Sequence, residues 1–144
     1  MKLFQNASEM ATAWVEQMAE ELGIHDPAEA LAALRAGLQA LRDRLGVEEV
    51  AQLSAQLPLL VRGMFFENWD PTGKPLRLRH RDEFLALVRD KYAPRWQLAP
   101  EQIIQALFRL LEVHVSQGEI THIMLTLPRE IGALAAGGDR EGLR

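Results

Sequence analysis

Two Leu-Pro pairs, Leu57-Pro58 and Leu127-Pro128, stand seventy positions apart, and the residues around them recur at the same offset. Glu49, Val50, Leu53 and Val61 return as Glu119, Ile120, Ile123 and Ile131. Proline has no backbone N–H and pushes the preceding residue out of the α conformation, so each pair must kink or break a helix. The echo extends to Trp14, Val15, Met18 and Leu22, which return as Phe84, Leu85, Val88 and Tyr92. Leu34, Leu38, Leu41 and Leu45 return as Ile104, Phe108, Leu111 and Val115. A helical period could produce some of these matches, but not the matched prolines and glutamates as well. The pattern predicts an all-α helical bundle built from two tandem repeats of about 70 residues.

The expected organisation is a single domain over 1–136, with repeat one at about 6–69, a connector at 67–81 and repeat two at about 82–136. A two-lobed arrangement hinged in the connector is the alternative. Residues 137–144 read as a flexible polar tail. The first helix is expected to begin at Asn6, with Glu9 completing a capping box, and to stop at Gly23. Asp26-Pro27-Ala28-Glu29 is a restart signal, with Asp at N-cap and Pro at N1. The second helix carries Leu31, Leu34, Leu38, Leu41 and Leu45 as its core stripe, leaving Arg35, Arg42, Asp43 and Arg44 mostly for solvent. A third helix over 47–56, a restart at Pro58, and helices at 82–92, from Pro100 and from Ser116 complete the reading. Turn formers Asn68, Asp70, Pro71, Gly73 and Pro75 mark the connector.

The runs Leu38 to Leu45, LQALRDRL, and Ala51 to Gly63, AQLSAQLPLLVRG, together with Trp69, resemble the uncharacterised bacterial family DUF2267. The second-half pattern, a helix ending in Ser-x-Gly-Glu and then Leu-Pro, fits the same family. The likeness covers essentially residues 5–136. It implies a small all-α bacterial protein and supplies no catalytic residues.

The chain has no cysteine, which excludes disulfides and thiol chemistry. No apolar run approaches the ~20 residues that span a bilayer, and the opening MKLFQNASEMATAW has no apolar core of a secretory signal. A cytoplasmic protein with no membrane association is therefore expected. A net charge of −4 weighs against a general nucleic-acid binder. Glu119 and His122 have the Glu-x-x-His spacing of bundle metal sites, but repeat one offers Glu49 and Gln52 in their places, and Glu at N3 of a helix is an ordinary cap. With His114 they form the weak candidate set for a metal-binding or catalytic bundle; no cofactor is expected.

Two features that follow Leu57-Pro58 have no counterpart after Leu127-Pro128. One is the aromatic run Met64-Phe65-Phe66-Glu67-Asn68-Trp69; the other is the basic stretch Lys74, Arg77, Arg79, His80 and Arg81. Phe65, Phe66, Trp69, Arg77, Arg79 and Arg81 are the candidate partner-binding residues, since aromatic and arginine side chains are common interface anchors. Leu57, Pro58, Leu127 and Pro128 form a structural signature rather than a site. The leading expectation is a non-catalytic helical interaction or scaffold protein, acting through helix faces and the 64–81 segment on a protein partner or a second copy. The alternative is a binder of nucleic acid or another anionic ligand through 74–81.

Overall fold

A computed structural model describes residues 2–94 and 96–137. Among these residues there are eight helices and no strands: α1 (Gln5–Leu22), α2 (Pro27–Arg44), α3 (Val47–Ser54), α4 (Leu59–Phe66), α5 (Arg81–Lys91), α6 (Pro100–His114), α7 (Gln117–Thr126) and α8 (Arg129–Ala135). The all-α architecture is as the periodicity predicts. Both Leu-Pro pairs are full breaks. Pro58 and Pro128 take extended backbone (ψ 157° and 150°) as N-caps, one position earlier than the N1 role expected for Pro58. Arg62 bridges the first break, its Nε and Nη2 donating to Ser54 O and Leu57 O, both at 2.9 Å.

Helix pairing in the first half recurs in the second. α1, α2 and α4 pack on one another, as do α5, α6 and α8. α1 packs on α6 as α5 packs on α2, while α2 meets α6 and α3 meets α7. One hydrophobic cluster draws residues from all eight helices, Trp14 on α1 and Phe84 on α5 among them. The α2–α6 crossing is close because Gly37 stands there: a Cβ at Gly37 would lie 3.2 Å from Leu107 Cδ2 and 3.3 Å from Ile103 Cγ2. Gly37 and Leu107 are themselves seventy positions apart.

Several local expectations are corrected. α1 begins at Gln5 behind Phe4, without a side-chain cap; the Asn6 amide instead reaches Met10 Sδ. Gly23 does end α1, with φ 71°. Asp26 caps α2 as expected, accepting from Ala28 N at 2.9 Å. Of the leucine stripe, Leu31 is exposed and the other four are buried.

The main correction concerns Arg42 and Asp43, which are buried, not solvated. α2 packs against four helices, α1, α4, α5 and α6, and it has no solvent face along 36–43. Residues 67–80 of the connector form no helix or strand, and α5 begins at Arg81. Of the tail, Gly137 still closes α8, donating its N–H to Leu134 O; the remainder, 138–144, lies outside the described residues.

Candidate functional site

The segment that sets the first half apart is held by polar side chains from α2. Gln39 Nε2 donates to Met64 O (2.9 Å), and Arg42 Nη1 donates to Phe65 O (2.9 Å) and Glu67 O (2.8 Å). These carbonyls lie at the C-terminal, negative end of α4, where intrahelical donors run out, and Met64 O also accepts from Glu67 N at 3.3 Å. Asp43 orients the guanidinium: its Oδ1 accepts from Arg42 Nε at 2.8 Å, while Lys91 Nζ on α5 lies 2.9 Å from its Oδ2. Burial pushes the Asp43 carboxyl up, but Arg42 and Lys91 outweigh it and hold it below the usual carboxylate range. The end of α2 is tied to the connector in turn. Leu76 N donates to Asp43 O at 2.8 Å, and Arg44 Nε donates to Leu78 O at 2.6 Å.

This arrangement decides where the candidate residues stand. Phe65 is fully buried in the core, so it presents nothing to a partner; its place at the α4–α2 contact is a packing role. Phe66 and Trp69 are half-buried, packed on each other (centroids 5.5 Å apart) and on the core, with Trp69 Nε1 buried and lacking an acceptor. The aromatic run thus mainly fastens the connector. Arg77 and Arg79 are exposed, whereas Arg81 is partly covered and its Nη2 lies 3.4 Å from Glu101 Oε2.

Between α1, α2 and α4 lies an apolar groove of about 500 Å³, lined by Ala11, Val15, Leu31, Leu60 and Met64 and rimmed by Arg35, which pairs with Glu67 at 3.5 Å. Leu60 is 49% exposed. The corresponding crossing of α5, α6 and α8 is built differently. Ala11, Leu31 and Leu60 correspond, seventy positions on, to Arg81, Glu101 and Glu130. There Arg81 meets Glu101 through its side chain, and Glu130 accepts from Arg81 N (3.0 Å) while its other oxygen lies 3.0 Å from His80 Nδ1. The Glu130 bond holds the His80 imidazole above its usual pKa. An ionic clamp occupies the second-half position; the first half leaves an open apolar one.

The metal candidates are not brought together. His114 stacks on Trp14 (centroids 4.6 Å) and contacts Gln17, on α1. His122 instead faces Glu49 across the α3–α7 contact, Nε2 to Oε2 3.5 Å. Among the described residues no group of three or more His, Asp or Glu stands close enough to hold a metal ion. Ser116 and Glu119 have the spacing of a capping box, but only half of it forms. Ser116 Oγ accepts from Glu119 N at 3.2 Å, but Ser116 N donates to Gln56 Oε1 at 2.7 Å, leaving Glu119 Oε2 buried without a partner.

Burial pushes the Glu119 carboxyl up; His122 pulls it back and Glu49 adds to the rise. A carboxyl whose folded pKa exceeds its unfolded value favours the fold below the ordinary carboxylate range and loses that contribution as pH rises through the raised value. Glu119→Gln is therefore expected to stabilise the protein by about 1 kcal/mol at neutral pH and to give no gain in acid. Melting temperatures of both proteins across pH check this; a pH-independent difference would contradict it.

The described residues thus define a helical bundle with an apolar groove and a basic connector. Residues 11–134 match the family model described as uncharacterized conserved protein (DUF2267), and the chain belongs to that family. Comparison with curated proteins gives no match. No helix among the described residues is long and apolar enough to cross a membrane.

Proposed function

We propose that this chain is a non-catalytic helical interaction protein, built on a tandem-repeated helical unit, that associates with a second copy of itself through the groove between α1, α2 and α4. The observation that carries the reading is the replacement of the Arg81–Glu101–Glu130 clamp by Ala11, Leu31 and Leu60 at equivalent positions. An exposed apolar groove gains by being covered, at roughly 25 cal/mol per Å² removed from water.

A second copy is favoured as the occupant by what stands beside the groove. Leu3 and Phe4 are about three-quarters exposed at the start of α1, and Ser8 borders both the groove and the shallow depression formed by residues 2–5. Anchor and cleft on one continuous surface are what a two-fold, self-complementary contact requires.

Sedimentation velocity on wild type, Phe4→Asp and Leu60→Asp tests the reading. A concentration-dependent dimer that both substitutions convert to monomer, with helical content unchanged, is expected. A wild type that stays monomeric at NMR concentrations, or a dimer indifferent to both changes, would overturn it.

A further inference from the structure

The connector's arginines resolve into two groups. Arg81 belongs to the clamp with Glu101. Arg77 and Arg79 alternate with the half-buried Leu76 and Leu78, and so stand on the outer side of the segment. Arg44 reaches this segment from the last turn of α2, its Nε–H fixed on Leu78 O, one residue from Arg79. That bond uses one of the five N–H donors of Arg44 and sets the plane of its guanidinium.

Among the described residues none of Arg44, Arg77 and Arg79 has an acidic partner. Asp43, beside Arg44, is taken by Arg42 and Lys91. Glu83, the nearest acid along the segment, spends its Oε1 on the backbone N–H groups of Arg79 and His80. In a chain of net charge −4, Arg44 and Arg79 therefore meet at Leu78 without an acidic partner, and Arg77 follows on the same outer side of the segment. Burial lowers the Arg44 pKa, and the positive charge of Arg79 lowers it further, as expected of guanidinium groups held close together.

We propose that Arg44, Arg79 and Arg77 form a phosphoryl-anion subsite, taking a phosphate or diphosphate group of a small ligand. Guanidinium forks match tetrahedral oxyanions through paired N–H···O bonds, and an oriented fork loses less freedom on binding than a lysine. A divalent or trivalent anion would also relieve the Arg44–Arg79 repulsion. The subsite lies at the α2–connector junction, away from the α1/α2/α4 groove, and does not depend on self-association.

The test is a titration of the ¹⁵N-labelled full chain with pyrophosphate and with inorganic phosphate at low ionic strength, following the arginine Nε–Hε and the Leu78 and Arg79 amide signals. Saturable shifts confined to these groups are expected, weakened roughly tenfold in Arg79→Gln and unchanged in Arg89→Gln, an exposed arginine on α5. Arg79→Gln removes an exposed head group only and should retain the wild-type melting temperature. Absence of saturable shifts, or equal weakening in both variants, would overturn the proposal. Binding of a single-stranded oligonucleotide without a response to pyrophosphate would overturn it in favour of a nucleic-acid surface.

Discussion

Replacing Asp43 with alanine is expected to destabilise the protein by about 3–5 kcal/mol, the range for stripping one partner from a buried ion pair. The change leaves Arg42, only 2% exposed, without its carboxylate, and Lys91 without its own partner. Arg42 would still have Phe65 O and Glu67 O to donate to, but neither carries a full charge. For a chain of this length such a loss lowers the melting temperature by roughly 10–20 °C. Lys91→Met, which deletes the more exposed cation and keeps the Arg42–Asp43 bond, should cost markedly less.

The pH dependence follows from the lowered Asp43 pKa. A depressed carboxyl contributes stability at pH values above its unfolded pKa and loses it as pH falls through the folded value. Acid should therefore narrow the gap between wild type and Asp43→Ala. Thermal melts at neutral and acid pH measure both effects. A cost under about 1 kcal/mol, the usual worth of an exposed pair, would show the cluster to be solvated.

The second large effect lies at the α2–α6 crossing. Gly37→Leu is expected to cost about 3 kcal/mol, the upper end of what overpacking exacts. A leucine gains up to about 0.8 kcal/mol over glycine in helix propensity, so a net loss must come from the clash with Leu107 and Ile103. The steric cause makes a sharper claim: in a Leu107→Ala background, the same Gly37→Leu change should be nearly neutral or stabilising. Equilibrium denaturation of the four proteins gives the coupling, expected at about 2 kcal/mol or more. Additive single effects would mean that the small–large pairing of Gly37 with Leu107, seventy positions on, is incidental.

Much of this architecture was legible in the chain. Both Leu-Pro breaks, the Gly23 stop and the Asp26-Pro27 restart follow from backbone chemistry, which acts locally and does not wait for tertiary context. Asn6 and Glu9 misled because a capping box needs a particular entry geometry, and α1 starts from Phe4 instead. The larger miss was Arg42 and Asp43. Polar residues opposite a leucine stripe read as a solvent face, and only a second layer of helices makes them interior. A signal existed: Ala33, Ala36, Gly37 and Ala40 are small, as residues must be where another helix packs closely. The groove was also readable, because Ala11, Leu31 and Leu60 fall in register with Arg81, Glu101 and Glu130. What the register does not convey is that those three charged groups engage one another, since that depends on how α5, α6 and α8 cross.

The enclosure of α2 bears on how the molecule opens. Segments exposed on one side can detach locally, and their amides exchange with solvent through small fluctuations. Every residue of the stretch 36–43 is buried, and α2 packs against α1, α4, α5 and α6, so no single neighbour can leave and free it. Its amides have access to deuterium only when the whole assembly comes apart. The slowest-exchanging protons of the protein should therefore cluster there, and their protection factors should report the global free energy of unfolding.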